Sequence, residues 1–114
     1  MQLRVEDKAY LWDLKVAAND IVDFTRGKNY ESYLGDKVTR FAVERQLLVL
    51  GEVVKRLSTD FKASQPTIQW NAMIGLRNII AHEYGEILSE RIWRIATENV
   101  PTLLAQLEAI LKEI

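Results

Sequence analysis

Apolar residues recur at three- and four-residue spacing over most of the chain, which is the pattern of amphipathic α-helices. The first such stretch covers residues 5–26, and Gly27 predicts its end. Asp36 is a suitable N-cap for a second helix that reaches about Leu57. This second stretch is apolar over most of its circumference, so it predicts the central helix of the fold. The residues between the two helices, 30–35, predict a connection.

Two further helices are predicted in the second half of the chain. One covers about residues 68–84, with Gly85 just past its end, and follows a polar loop at residues 58–67. Ser89 is predicted to cap a long final helix, in which Pro101 predicts a kink near Asn99 because proline has no backbone N–H to donate. The predicted fold is therefore all-α, a bundle of four to five helices with a kinked C-terminal helix.

Gly51 lies inside the predicted central helix, where glycine costs about 0.5–1 kcal/mol relative to alanine. A glycine in such a position has a use where two backbones approach closely. We therefore expect Gly51 to mark a close crossing of the central helix with another helix.

Composition narrows the class of protein. The chain has 114 residues, 48% of them hydrophobic, which suits one domain, predicted over residues 1–114. With 15 Lys and Arg against 16 Asp and Glu, the formal net charge is -1, so any contact with nucleic acid must use a local patch or a composite surface. The absence of Cys excludes disulfides, thiolate metal sites and a Cys nucleophile. The sequence shows no apolar run of signal-peptide or membrane-spanning type, so we expect a cytoplasmic protein outside the membrane.

His82 is the single histidine of the chain, and its neighbours make it a candidate for catalysis. With Arg77 set at 0° and about 100° per residue, Asn78 and His82 fall at about 100° and 140°. The core arc of the same helix, at about 200–320°, contains Ala72, Met73, Leu76, Ile79 and Ile80. Arg77, Asn78 and His82 are therefore expected around one groove on the opposite side. Ile74 and Ala81 share that side, so it could pack on a partner subunit, line a cleft, or be covered by another helix of the chain.

Arginine, asparagine and histidine around one groove suit a phosphodiester. Arg77 would grip phosphate oxygens with its planar, permanently charged fork, and His82 could give or take a proton near neutral pH. RNA supplies its own nucleophile, the 2'-hydroxyl, so attack to give a 2',3'-cyclic phosphate needs no Ser, Cys or metal. The reaction needs a base and an acid, whereas one chain has one histidine. A two-fold dimer would bring two copies of both residues into one cleft.

Two other residues are candidates for supporting roles. Glu52 on the central helix could reach the third helix and orient Arg77, or it could form an ordinary i,i+4 surface pair with Arg56. Tyr84 lies near the predicted end of the third helix; it could be a packing residue, a substrate contact or a site of modification. The sequence offers no set of metal ligands, with one His, no Cys and no Glu-x-x-His pattern.

The segment Arg77-Asn78-x-x-Ala81-His82-x-Tyr84 resembles the Arg-x4-His-x-Tyr signature of HEPN domains, and within them the HepT-like toxins. The resemblance extends to residues 40–57, which are similar to the second long helix of that family. It also includes the Pro-x-x-x-Trp approach to the motif helix, here residues 66–70. Most of the chain is covered, from about residue 7 to residue 110.

This resemblance implies a helical homodimer in which the two motifs face one cleft. It implies a metal-independent endoribonuclease without a cofactor, with Arg77 and His82 catalytic and Asn78 in support. It further implies a partner, a minimal nucleotidyltransferase (MNT) antitoxin, which would transfer AMP to Tyr84 and so silence the toxin. The alternative is a subunit without catalysis that docks a nucleotidyltransferase and presents a nucleotide or Tyr84 to it. A helical dimer with a purely structural role is the third possibility.

Overall fold

The protein's structure, a computed structural model, describes residues 3–114. Helices account for nearly all of this part of the chain, and no strand occurs in it, so the all-α prediction is confirmed. None of the helices described is both long and apolar enough to cross a membrane. The elements are α1 (Val5–Thr25), α2 (Tyr30–Leu34), α3 (Lys37–Arg56), α4 (Thr59–Ser64), α5 (Trp70–Ile74), α6 (Leu76–His82), α7 (Gly85–Arg94), a π-helical turn (Ile95–Asn99) and α8 (Val100–Lys112).

Helices α1 and α3 form the centre of the bundle and run antiparallel. The Asp7 carboxylate near the start of α1 accepts hydrogen bonds from the backbone N–H and the hydroxyl of Ser58, just after the end of α3, at 2.9 and 2.6 Å. Further along, the Gln46 amide donates to Asp20 at 2.8 Å. Between these polar ties the two helices bury their apolar stripes, which are fully or almost fully removed from water: Leu11, Leu14, Ala17, Ala18, Ile21, Val43, Leu47, Leu50 and Val54.

Asp36 caps α3 as predicted. Its carboxylate accepts from the Thr39 backbone N–H at 3.0 Å and from the Thr39 hydroxyl at 2.7 Å, and it also accepts from the Lys28 ammonium at 3.1 Å. These hydrogen bonds to Thr39 and Lys28 favour the charged carboxylate, so they hold the pKa of Asp36 well below its usual range. The central helix therefore begins where the sequence pattern placed its start.

The two segments predicted as connections are helical, so those predictions were wrong. Each short helix has its own cap and one aromatic residue to bury. Asn29 accepts from the Ser32 backbone N–H at 2.8 Å and starts α2, which buries Tyr33. Ser58 accepts from the Phe61 backbone N–H at 3.1 Å and starts α4, which buries Phe61. A five- or six-residue helix is too short to show a helical period in the sequence, which is why both were missed.

The predicted third helix is divided at Gly75 into α5 and α6. Gly75 keeps a right-handed conformation, but its ψ of -12° departs from the usual helical value and turns the chain slightly. Before this break α5 crosses α3 at Gly51. A Cβ atom at Gly51 would lie 2.8 Å from the Met73 carbonyl oxygen, closer than two such atoms can approach. The predicted close crossing at Gly51 is therefore confirmed, and it sets the position of the chain that leads into α6.

The last helical unit begins earlier than predicted. Ser89 caps nothing: it is buried within α7, which begins at Gly85. Gly85 has a φ of +60°, a conformation that favours glycine. It was predicted just past the end of the third helix, whereas it is the first residue of α7. The break expected near Asn99 is present as the π-helical turn, in which the Val100 N–H donates to the Ile95 carbonyl. Pro101 then occupies the first turn of α8, where a missing N–H costs little.

Helix α2 anchors α7 through aromatic rings. The Tyr33 ring lies 5.1 Å from the Trp93 ring, centroid to centroid, and the Tyr30 ring lies 6.5 Å from it. Tyr33 is completely buried, and this burial raises the pKa of its hydroxyl well above the usual range. The Tyr30 hydroxyl donates to the Glu86 carbonyl at 3.5 Å. The start of α7 is thereby fixed beside the end of α6.

Candidate active site

Helix α6 presents two faces of opposite character. Leu76 is buried, and Ile79 and Ile80 pack against the same core. On the other side, Arg77 and His82 are exposed, together with Asn78 and Ala81. Within α6 these residues lie as the helical periodicity predicted. In α5 the prediction was wrong, because Ala72 is exposed and Ile74 packs against the core, on the other side of the break at Gly75. The structure therefore brings the three polar residues of the motif to one side of one short helix.

The side chains of Arg77 and His82 make no hydrogen bond or ion pair with the part of the chain that the structure describes. They are five residues apart, which corresponds to about 7.5 Å along the helix axis. Asn78 is one turn before His82 and can reach it, as i,i+4 neighbours do. The guanidinium and the imidazole are thus both available to an incoming anion.

Tyr84 lies outside the motif helix, contrary to its predicted place within the last turn. Helix α6 ends at His82, and both Glu83 and Tyr84 have extended backbone conformations. The Tyr84 side chain is 78% exposed. A packing role for this tyrosine in the single chain is therefore wrong, whereas contact with a substrate or a modifying enzyme is sterically open.

Glu52 has a different partner from the one hypothesised. It lies exposed on α3, and its carboxylate forms an ion pair with Lys55 at 3.6 Å. Neither Arg77 nor Arg56 is among its ion-pair partners in residues 3–114. The idea that Glu52 orients Arg77 stays a prediction, with no support from the contacts of this chain.

Sequence reasoning missed Glu83 and Arg91. The Glu83 carboxylate accepts from the Arg91 guanidinium of α7 at 2.6 Å, across the turn that contains Tyr84. The second carboxylate oxygen of Glu83, Oε2, is buried and has no hydrogen-bond partner in the described chain. The helical projection could have indicated the buried position of Glu83. With Arg77 at 0°, Glu83 falls at about 240°, inside the core arc.

A groove of about 490 Å³ runs beside the motif helix, between α3, α5–α6 and the α7–α8 unit. Its lining includes the buried Leu47 and Leu76, the half-buried Ile79, and the exposed Arg91 and Arg94. Arg77, Asn78 and His82 are not among its lining residues, so the groove does not include the exposed face of α6. No cluster of three or more His, Asp or Glu residues that could hold a metal ion occurs between residues 3 and 114.

Comparison with known proteins gives matches over most of the chain. The family model described as "Ribonuclease HepT-like" matches residues 14–110. A protein of Methanocaldococcus jannaschii named "Putative RNase MJ1380" is 36% identical over 103 residues, which cover 90% of this chain and 94% of that protein. One from Thermococcus cleftensis named "Probable ribonuclease HepT" is 36% identical over 105 residues, which cover 92% and 96%. No solved structure matches the chain.

These matches extend through every element that builds the site, from α1 to α8. They include the motif helix, the turn after it and the central helix on which both rest. The chain therefore belongs to the HepT-like ribonuclease family.

Proposed function

We propose that this chain is a metal-independent endoribonuclease that acts as the toxin of a toxin–antitoxin module. The observation that carries the proposal is the exposed face of α6, where Arg77 and His82 are solvent-accessible and have no partner within residues 3–114. Arg77, Asn78 and the single histidine lie together on this exposed face, which leaves a permanent cation and a group able to transfer protons near neutral pH available to a phosphodiester. The ribonuclease names of the relatives support the part of the proposal that concerns RNA cleavage.

The proposed reaction uses the 2'-hydroxyl of RNA as nucleophile. One His82 imidazole takes the proton of the 2'-hydroxyl as its oxygen attacks the adjacent phosphorus. The bond from phosphorus to the 5'-oxygen breaks, and a protonated imidazole gives that oxygen its proton. Arg77 stabilises the extra negative charge on the phosphoryl oxygens while this happens. The products are a 2',3'-cyclic phosphate and a 5'-hydroxyl.

We further propose that the working unit is a homodimer. A single α6 offers one imidazole, whereas the reaction needs a base on one side of the phosphorus and an acid on the other. A two-fold axis beside the exposed face of α6 would supply two copies of Arg77 and His82 to one cleft. It would also concentrate positive charge locally on a chain whose formal net charge is -1.

The proposed activity has a direct test in the ends of the RNA products. Purified protein incubated with RNA in the presence of EDTA should release fragments with 2',3'-cyclic phosphate and 5'-hydroxyl ends. Specific activity should fall when the protein is diluted below the dissociation constant of the dimer. RNA that remains intact at every protein concentration would overturn the proposal.

Tyr84 is the proposed point of regulation. A nucleotidyltransferase partner would direct the Tyr84 hydroxyl oxygen to the α-phosphorus of ATP, forming a tyrosyl–AMP bond and releasing pyrophosphate. The 78% exposure of Tyr84 and its extended backbone leave room for a second enzyme to reach it. AMP attached two residues from His82 would add bulk and negative charge where an RNA phosphate has to lie.

We expect Tyr84→Phe to abolish AMP incorporation while RNA cleavage continues. Mass analysis of the protein after incubation with ATP and an MNT-type nucleotidyltransferase measures the incorporation. Tyr10→Phe, which changes a tyrosine on α1, is the matched control and should accept AMP like the wild type. AMP found on the Tyr84→Phe protein would contradict this site. RNA left intact by a protein that accepts AMP on Tyr84 would instead favour the accessory-subunit alternative.

A further inference from the structure

Glu83 stands between two exposed residues of the motif, yet its own side chain points inward. His82 and Tyr84 are both exposed, whereas the Glu83 side chain is only 27% accessible. It continues the buried side of α6 that begins with Leu76 and passes through Ile79 and Ile80. A carboxylate at the end of an apolar stripe needs a reason, because an apolar residue would fit that position at lower cost.

The Glu83 carboxylate ties the end of α6 to the second half of α7. Arg91 Nη1 donates to Glu83 Oε1 at 2.6 Å, a short, charge-assisted hydrogen bond. The intervening turn contains Tyr84 in an extended conformation and Gly85 at a φ of +60°. The backbone here is also held by hydrogen bonds from the Glu83 N–H to the Ile79 carbonyl at 3.0 Å and from the Leu88 N–H to the Tyr84 carbonyl at 3.4 Å, whereas the ion pair is a side-chain contact that joins α6 to α7 across the turn. The ion pair therefore closes the turn on the side of the proposed active site.

The geometry of the pair is not one that maximises stability. An ion pair with one half-exposed partner contributes little net stability, since solvent screens the attraction while the less exposed charge still loses part of its water. Glu83 Oε2 adds to this cost, because it is buried and accepts no hydrogen bond in the described chain. Buried unsatisfied groups of this kind are uncommon in folded proteins. What the pair does supply is a fixed distance between two helices.

We propose that Glu83 is a positioning residue for the ribonuclease reaction: through its ion pair with Arg91 it fixes the turn after α6, and with it the orientation of His82 and Tyr84. The inference rests on the proposed function, since positioning has meaning only for a site that reacts. His82 is the last residue of α6, where helices fray, so its orientation depends on what holds the chain just after it. Displacement of a reacting group by about 1 Å can cost about a hundredfold in rate.

Kinetics of single variants give the first test. Glu83→Ala and Arg91→Ala should lower kcat by about 10- to 100-fold and leave KM nearly unchanged, because the free His82 and Arg77 can still meet RNA. Glu83→Gln should recover most of the rate, since its amide oxygen can still accept from Arg91. Glu90→Ala is the matched control: it breaks the Glu90–Arg94 pair of the same helix, which is 3.8 Å long and about two-thirds exposed, and should leave kcat unchanged.

A double variant separates positioning from stability. Glu83→Met with Arg91→Met replaces the pair by flexible apolar side chains, which often leaves stability equal or higher. We expect this protein to unfold at or above the wild-type temperature and still to show the reduced kcat. A double variant with wild-type kcat would overturn the proposal, as would Glu83→Ala with wild-type kcat.

The single histidine permits a readout that does not depend on activity. His82 gives the one imidazole Hε1 resonance of the protein, so it is assigned without labelling. That resonance should be single and sharp in the wild type and in Glu90→Ala, and broadened or doubled in Glu83→Ala and Arg91→Ala. A wild type that fails to cleave RNA would reject the proposed function, whereas an unchanged His82 resonance in Glu83→Ala would reject the positioning role.

Discussion

Replacing His82 with alanine should lower the rate of RNA cleavage by about 10²–10⁴-fold, the usual contribution of general acid–base catalysis. In the proposed dimer the substitution removes the base and the acid together. The fold should persist, because His82 is exposed at the end of α6 and makes no hydrogen bond within residues 3–114. Cleavage of a defined RNA under single-turnover conditions measures the rate, and circular dichroism with thermal unfolding checks the fold.

The same experiment tests Arg77→Ala and, as a control, the substitution of another arginine. Arg77→Ala should cost about 10²–10³-fold, on the order of removing one group that stabilises the transition state. Arg45→Ala removes an exposed arginine of α3 and should retain the wild-type rate. Cleavage by His82→Ala at the wild-type rate would reject the assigned mechanism and leave the Arg77–His82 face with a binding or structural role.

Replacing Gly51 with alanine should destabilise the protein by about 1–2 kcal/mol, although alanine is the better helix former. The gain in helix propensity is about 0.5–1 kcal/mol. It is opposed by the overlap of the new Cβ with the Met73 carbonyl oxygen, 2.8 Å away, which is backbone and cannot rotate out of reach. Overpacking of this kind costs about 1–3 kcal/mol, so the second effect wins. Thermal unfolding should show a midpoint lower by about 4–10 °C.

Gly75→Ala is the matched control for that prediction, because Gly75 follows α5, the helix that crosses α3 at Gly51, and lacks the close contact. Gly75 has a right-handed conformation, and the nearest atom to its new Cβ, the Ala72 carbonyl oxygen, is 3.5 Å away. We expect it to gain about 0.4–1 kcal/mol by restricting the unfolded chain. A Gly51→Ala protein as stable as Gly75→Ala would contradict the crossing. If the crossing positions α6, Gly51→Ala should also reduce RNA cleavage.

The long helices of the fold could be predicted from the sequence because their apolar residues recur with the helical period over several turns. The start of α3 at Asp36 and the close crossing at Gly51 follow from local chemistry, namely a capping carboxylate and a missing side chain. Helices α2 and α4 could not be found in this way, since one buried aromatic residue in five or six positions is no period. The prediction that Ser89 caps a helix was wrong. A serine followed by two charged residues is typical of an N-cap, and the sequence alone does not show that the helix has already begun.

The candidate site also has features that the sequence predicted and features that it did not. The exposed side of α6 was predictable, since the angle between Arg77 and His82 depends only on helix geometry. The Glu83–Arg91 pair was not, because it joins two helices across a turn whose course no local rule fixes. Tyr84 was placed in a helix that ends two residues earlier. Local periodicity gives the direction of a side chain, whereas the partner of that side chain depends on the tertiary fold.

The π-helical turn limits how this chain can change length during evolution. Ile92 and Ala96 before its end, and Leu103 and Leu107 after it, all lie on one buried side. Loss or gain of one residue within the turn would rotate everything beyond it by about 100° relative to α7. Leucines of α8 would then face water, and polar residues would face α1. We therefore expect length differences among relatives to fall in the connections and at the chain ends rather than between α7 and α8.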